Sequence, residues 1–288
     1  MKWFNYIFAA LLLAAPAYAA DGPEEIQWRK IAPENLLVID TDFGRTVIEL
    51  NPEFAPNHVQ RIRDLSADGF YDGLTFYRVI EGFVAQGGRG EEEDSPKLPE
   101  KYPTLINENE RASAGLDFAP LGSPDLYAPE SGHVNGFAAA RNPETQMTWL
   151  QHCPGSMAMA RDNDPDSGDA EFYIVLGPGT RYLDRNLTVF GRVIDGMQFI
   201  QKLNRGIRSI NYGVIEDVTR RGIIRSFHVA ADLPEGDRPS YEVMPTPSDH
   251  FEIHKTKKRI RNDAFFYRHP PEVVEACTVV APARVVKG

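Results

Sequence analysis

The feature that most constrains the fold is a series of short runs rich in β-branched and aromatic residues, each closed by a turn. Such runs are typical of β-strands. They do not alternate regularly with helix-length segments, so the rhythm of a parallel α/β sheet is absent and a closed antiparallel barrel is favoured. The predicted strands cover residues 36–41, 45–50, 74–80, 83–88, 154–160, 171–177, 187–194 and 222–230.

Two helices are predicted beside these strands. Residues 57–68 carry apolar side chains at helical spacing, and Gly69 supplies the left-handed residue that commonly ends a helix. Residues 196–206 present a second apolar face. Only residues 42–44 separate the first two strands, which predicts a tight hairpin.

Residues 1–20 have the order of a secretory signal peptide: Lys2, an apolar stretch from Ile7 to Ala15, and a small-residue cleavage site. The apolar stretch is too short to span a bilayer core of about 30 Å as a helix, which argues against a membrane anchor. We therefore expect cleavage near Ala19 or Ala20 and a periplasmic or secreted protein.

Two further segments show no sustained periodicity. Residues 89–152 are rich in Pro, Gly and charge, and we predict an irregular insert there. Residues 233–288 begin Pro-rich and polar, and we predict an extension beyond the barrel without an assigned role. Within it, His250 and His254 have the spacing of two metal ligands on a helix, but the Pro-rich setting argues against a helix.

Composition narrows the classes of function. The 288 residues carry 31 Lys and Arg against 41 Asp and Glu, and a net charge of −10 does not provide the basic surface of a nucleic-acid binder. The chain also lacks a Gly-x-Ser-x-Gly motif, and its histidines are scattered, so triad chemistry has little support. We expect neither a metal nor a cofactor.

In an exported protein Cys153 and Cys277 are either bridged or separate thiols, and the sequence leaves both open.

Residues 76–88, FYRVIEGFVAQGG, resemble the F-x-R-[VI]-I-x-G-F-x-x-Q-G-G signature of the cyclophilin family of peptidyl-prolyl isomerases. Residues 156–160, 171–174 and 183–193 are similar to further cyclophilin segments and occur in the family's order. The resemblance covers about residues 36–232 and is interrupted by the insert. It implies an all-β fold, a closed eight-stranded antiparallel barrel capped by two short α-helices, and isomerisation of X–Pro peptide bonds.

The same resemblance implies that Arg78 is the catalytic donor and that Gln86 orients either Arg78 or the substrate carbonyl. Rotation about an X–Pro bond breaks amide resonance against a barrier of about 18–20 kcal/mol. Midway, the proline nitrogen regains a lone pair, so a fixed cation aimed at it stabilises the transition state more than either isomer. The substrate-binding residues that the resemblance implies are Phe83, Val84, Ala158, Glu171, Tyr173, Tyr182, Leu183 and Leu187.

Several of these positions depart from the common family pattern. Tyr173 stands where Phe is frequent and adds a hydroxyl that needs a partner, Tyr182 replaces Trp, and Leu187 replaces His. Glu171 stands where Gln is common, and we hypothesise that its carboxylate pairs with Arg78 and draws it off target.

The expected partners are proline-containing, unfolded or partly folded exported polypeptides, with no nucleic acid and no membrane anchor after signal cleavage. The protein is expected to be a monomer. The alternative function is a proline-groove binding module or periplasmic chaperone with little isomerase turnover. A third possibility, a small-ligand barrel of the lipocalin type, is disfavoured by the two capping helices and by the Arg78 and Gln86 groove.

Overall fold

The structure is a computed structural model that describes residues 25–90 and 95–286, so the predicted signal peptide lies outside the described residues. Its helices are α1 (Pro56–Ala67), α2 (Met197–Ile200) and α3 (Asp249–Arg259), besides short 3-10 turns. The strands in chain order are β1 (Arg29–Lys30), β2 (Leu36–Thr41), β3 (Gly44–Leu50), β4 (Thr75–Val79), β5 (Val84–Gly88), β6 (Arg111–Ala112), β7 (Phe118–Pro120), β8 (Glu130–Val134), β9 (Phe137–Asn142), β10 (Met147–Leu150), β11 (Ser156–Met159), β12 (Phe172–Val175), β13 (Val189–Asp195), β14 (Gly222–Val229), β15 (Tyr241–Val243) and β16 (Ala283–Val285).

Eight strands close into an antiparallel barrel in the order β11-β12-β5-β4-β14-β2-β3-β13, which confirms the predicted fold class. Alternate residues of these strands point inward, because successive side chains of a strand face opposite sides of the sheet. Fully burying a large apolar side chain contributes about 1.5–3 kcal/mol, so the interior is the main source of stability. Its largest fully buried side chains are Tyr71, Phe76, Phe172, Phe190 and Phe227.

The helices close the ends of this core. Helix α1 begins with Pro56, whose missing N–H costs nothing in the first turn, and it ends before Gly69, which has a φ of +65°. The second predicted helix, over residues 196–206, is shorter than expected: only α2 is helical, and Leu203 is buried from the turn that follows.

The insert over residues 89–152 is not irregular, and this part of the prediction is wrong. It contains β6 to β10, which form a second antiparallel sheet in the order β6-β10-β9-β8-β7. Strands β8 and β9 are joined by Asn135 and Gly136, with φ of 49° and 91°. These strands are short and rich in Ala, Gly and charged residues, so they lack the dense β-branched runs of the barrel.

The extension over residues 233–288 packs against the rest of the molecule. Strand β15 pairs with β1 on one side and with β16 on the other in a three-stranded sheet, and Phe251 of α3 is fully buried. His250 and His254 therefore lie on a helix, contrary to expectation, because Ser248 caps the Phe251 N–H and basic residues occupy the last turn. No cluster of three or more metal-ligating side chains occurs among the described residues.

Cys153 and Cys277 form a disulfide with a Cα–Cα distance of 5.0 Å, which settles the alternative that the sequence left open. The bridge joins the loop after β10 to a 3-10 turn, Ala276–Thr278, in the extension. In the part of the chain that the structure covers, none of the helices has the length and apolarity needed to cross a bilayer.

Candidate active site

Four predicted site residues lie side by side across adjacent barrel strands. Ala158 on β11 is opposite Tyr173 on β12, Tyr173 is opposite Gln86 on β5, and Gln86 is opposite Arg78 on β4. Directly opposed residues share one face of a sheet. Their neighbours, such as Phe172, point into the core. The row of four therefore faces outward, and the strand register alone brings these residues together.

The guanidinium of Arg78 is fixed by two bonds on different sides. Its Nη1 donates to Gln86 Oε1 at 2.9 Å, and its Nε donates to the backbone carbonyl of Tyr212 at 3.0 Å. Its terminal carbon lies 5.9 Å from the centroid of the Phe83 ring. Tyr212 has a φ of 51°, a left-handed conformation in the loop that runs beside β4. The cation is thus held in place before any substrate arrives.

Gln86 is oriented in turn by a chain of hydrogen bonds. Its Nε2 donates to Tyr77 Oη at 2.6 Å, and Tyr77 donates to Glu171 Oε2 at 2.8 Å. The other carboxylate oxygen of Glu171 accepts the Arg89 N–H at 2.9 Å. Tyr77 and Gln86 stand between Glu171 and Arg78, so the direct pairing hypothesised from the sequence is replaced by a relay through two side chains.

Glu171 changes protonation state close to neutral pH. Burial raises the pKa of Glu171 to about 7, and the charge of Asp169 acts in the same direction, against the bonds from Tyr77 and Arg89. When ionised, Glu171 accepts from Tyr77, so that the Tyr77 oxygen is left to accept from Gln86. Because the Gln86 amide nitrogen then points to Tyr77, its carbonyl oxygen points to Arg78.

An apolar cluster lies along the row. Val84, Ala158 and Tyr173 are buried in one cluster, and Phe83 and Leu187 pack partly exposed against it. The remaining two predicted residues lie on the 3-10 turn Arg181–Leu183: Leu183 is half-buried outside this cluster, and Tyr182 is 56% exposed. The cluster also includes residues of the insert, namely Val134, Phe137, Ala139 and Leu150.

The Tyr173 hydroxyl has a buried partner that the sequence did not reveal. It lies 2.9 Å from His152 Nε2, and His152 Nδ1 lies 3.1 Å from Asp184 Oδ1. Burial raises the pKa of Tyr173 well above its usual value, so the phenol stays neutral. Its departure from the common Phe is accommodated by this bond. His152 lies 21 residues before Tyr173 in the chain, so only the folded structure pairs them.

Comparisons with known proteins agree with this geometry. The family model described as cyclophilin type peptidyl-prolyl cis-trans isomerase/CLD matches residues 36–229. A Brucella suis protein named as a probable peptidyl-prolyl cis-trans isomerase is 30% identical over 213 residues, which are 72% of this chain and 91% of that protein. Peptidyl-prolyl cis-trans isomerase B of Bacillus subtilis is 32% identical over 165 residues, 57% of this chain and 87% of that protein.

A solved structure extends the similarity beyond the family match. The crystal structure of a cyclophilin from Hirschia baltica superposes with a TM-score of 0.69 at 29% identity. The superposition covers 90% of this chain and 93% of that one. It therefore reaches past the barrel into the insert and the C-terminal extension.

Proposed function

The chain belongs to the cyclophilin-type peptidyl-prolyl cis-trans isomerase family, and on that premise we propose that it isomerises X–Pro bonds of exported polypeptides by means of Arg78. The observation that carries the proposal is the two-sided fixation of Arg78 beside an apolar cluster, whose Phe83 ring lies next to the guanidinium. A proline ring is apolar and packs favourably against such side chains, while the proline nitrogen must face a donor.

The reaction needs charge stabilisation rather than a nucleophile. As the X–Pro bond rotates, the proline nitrogen becomes pyramidal and its lone pair localises, and an arginine donor beside it binds this state more strongly than the planar amide. A guanidinium is always charged, and its planar fork keeps its direction when two of its nitrogens are already bonded. Gln86 and the Tyr212 carbonyl supply those bonds, so little reorganisation is required during the reaction.

The direct test is a protease-coupled or exchange-NMR measurement of a short X–Pro peptide with the parent protein and with Arg78→Ala. We expect catalysis by the parent and its near-complete loss in the variant. A parent protein that binds the peptide without accelerating its isomerisation would support a binding module instead.

The relay from Glu171 predicts a pH dependence of catalysis. In the parent, kcat/KM is expected to rise between about pH 6 and about pH 8, because ionised Glu171 accepts from both Tyr77 and the Arg89 N–H, whereas the protonated acid must turn its hydroxyl towards one of these donors and so loosens the relay to Gln86. The same raised pKa implies that ionised Glu171 opposes folding, so this group's contribution to stability falls as pH rises from about 4.5 to about 7.

Glu171→Gln is the matched variant, because it keeps the shape of the side chain and removes the titration. Its rate is expected to be independent of pH over this range and to lie within about threefold of the parent's rate at the acid end, because the neutral amide, like the protonated acid, offers one acceptor oxygen to the two donors. A variant that shows the parent's full pH step would assign that step to another group and contradict the relay.

We infer export from two independent features. The signal-peptide pattern of residues 1–20 is one, and the Cys153–Cys277 disulfide is the other, since structural disulfides form and persist mainly in oxidising compartments. Mass spectrometry of the protein isolated from its own cells is expected to find a chain that begins at Ala20 or Asp21, with both cysteines resistant to alkylation. An N-terminus at Met1 with two reactive thiols would contradict export.

A further inference from the structure

A chain of buried polar side chains leads away from Tyr173. His152 connects Tyr173 to Asp184, and Asp184 accepts from Arg181 Nε at 2.6 Å. Arg181 also donates to both carboxylate oxygens of Asp125, each at 3.1 Å. The side chains of His152, Asp184, Arg181 and Asp125 are all at most 5% exposed. We call these four residues and Tyr173 the Tyr173 network.

The C-terminal extension holds this network at two places, besides an ion pair at 4.0 Å between Glu275 and Arg181. Cys153 directly follows His152, and its disulfide ties that point of the backbone to Cys277. The second place is the stretch just before Asp125. There Lys255 of α3 donates to the Pro120 carbonyl at 2.7 Å, Arg259 donates to the Leu121 carbonyl, and the Val274 N–H donates to Ser123 Oγ at 3.1 Å.

We propose that the C-terminal extension positions the proline pocket of the isomerase, by holding His152 where it fixes the Tyr173 hydroxyl. The inference rests on the proposed function, since it takes Tyr173 as the floor of the substrate pocket. His152 and Cys277 are positioning residues in this scheme, and neither needs to touch the substrate.

The physical reason is that Tyr173 combines a pocket wall with a buried hydroxyl. A buried hydroxyl without a partner is costly, so the ring rests where its oxygen meets His152 Nε2. If His152 moves, the ring follows its hydroxyl or the bond is lost, and the apolar surface presented beside Ala158 and Val84 changes. The effect should appear in substrate binding, because Arg78 is held separately by Gln86 and Tyr212.

The test compares oxidised and dithiothreitol-reduced protein, in the parent and in Tyr173→Phe. Dithiothreitol supplies two electrons and two protons, becomes a cyclic disulfide, and leaves two thiols at Cys153 and Cys277. In the parent, reduction is expected to raise KM for a short X–Pro peptide about fivefold, the equivalent of one lost hydrogen bond. The expected change in kcat is within about twofold. In Tyr173→Phe, which has no hydroxyl to hold, reduction is expected to leave KM unchanged.

Two controls show whether the rise in KM comes from loss of the disulfide. The first excludes other effects of dithiothreitol, and the second excludes a general effect of changing the extension. Cys277→Ser is expected to have the KM of the reduced parent and to be insensitive to dithiothreitol. Arg284→Ala removes an exposed ion pair with Glu242 in the same extension, outside the Tyr173 network, and is expected to keep the parent's KM in the oxidised state.

Far-UV circular dichroism tests whether the reduced protein stays folded. Should it unfold, His152→Gln in the oxidised protein replaces reduction, and a rise in KM in the parent background but not in Tyr173→Phe is required. The inference is overturned if KM of the parent is unchanged, whether by reduction or by His152→Gln. It is equally overturned if KM rises by the same factor in the parent and in Tyr173→Phe.

Imidazole ¹⁵N NMR of His152 gives a readout that does not depend on activity. A change of its Nε2 resonance on reduction is expected, and an unchanged resonance contradicts the coupling. Failure of the proposed function looks different: the oxidised parent then shows no turnover, or its turnover survives Arg78→Ala, and in both cases the His152 resonance still tests the coupling.

Discussion

In a protease-coupled assay with a short X–Pro peptide, Arg78→Ala is expected to reduce kcat/KM about 10²–10³-fold, the usual cost of removing one preorganised electrostatic donor. The loss should fall on kcat, because Arg78 acts on the lone pair that develops during rotation and the apolar cluster beside it is unchanged. Arg78→Lys should recover little of the activity. A lysine ammonium cannot keep the bonds to Gln86 and Tyr212 and also present a planar donor to the substrate.

Arg225→Ala is the matched control, since Arg225 is an exposed arginine that bonds Asp42 at the β2–β3 hairpin and has no link to the site. It should retain the parent's kcat/KM. An Arg78→Ala enzyme with the same kcat/KM as this control would show that the proline nitrogen is stabilised by some other group.

The second large effect is on stability. Arg181→Leu is expected to lower the free energy of unfolding by about 3–5 kcal/mol, because it leaves the carboxylates of Asp125 and Asp184 buried without their cation. Burial alone would raise the pKa of Asp125, and the Arg181 guanidinium outweighs it and holds that pKa below its usual value. In the variant the Tyr127 N–H still lowers the pKa of Asp125, but the cation that opposed burial is gone. The pKa of Asp125 therefore rises relative to the parent, and the folded variant takes up protons on acidification that the folded parent does not.

Denaturant unfolding at two pH values tests this explanation. A group whose folded-state pKa is raised contributes stability that increases as pH falls, so the deficit of Arg181→Leu should shrink between about pH 7 and about pH 5. Arg45→Leu removes an exposed pair with Asp40 and should cost no more than about 1 kcal/mol. A deficit for Arg181→Leu of that small size, or one that grows on acidification, would contradict the role given to the buried cation.

The barrel and its row of site residues were predictable because both follow from local sequence. The strands are dense in β-branched and aromatic residues, and the motif from Phe76 to Gly88 contains Arg78 and Gln86, which the hairpin of β4 and β5 brings face to face. Antiparallel pairing then fixes which residues of β12 lie opposite Gln86. The outward row therefore needs no long-range information beyond the strand order.

The second sheet is not predicted from the sequence, although one local signal indicates a hairpin there. Asn135-Gly136 is the dipeptide that most favours a two-residue hairpin turn, and it stands between strands that pair Val134 with Phe137. The strands on either side contain few β-branched residues, so their composition does not indicate strands. Helix α3 was overlooked for a similar reason, since the prolines before it outweighed the cap at Ser248 and the basic last turn.

The Tyr173 network could not be read from the sequence at all. Asp125 and Arg181 are 56 residues apart, and Cys153 and Cys277 are 124 apart, so neither pairing leaves a local pattern. Glu171 was singled out, but its partner was not, because Tyr77 intervenes only once β4, β5 and β12 are assembled. Polar networks between distant segments depend on three-dimensional packing that periodicity does not encode.

The position of the bridge along the chain also fixes an order of events during biosynthesis. Every strand of the barrel precedes Cys277, and a growing chain emerges from its N-terminus. The barrel can therefore be complete while Cys153 is still an unpaired thiol. Oxidation must wait for the last part of the chain, so a closed bridge marks a molecule whose synthesis has run past its barrel and whose extension has docked.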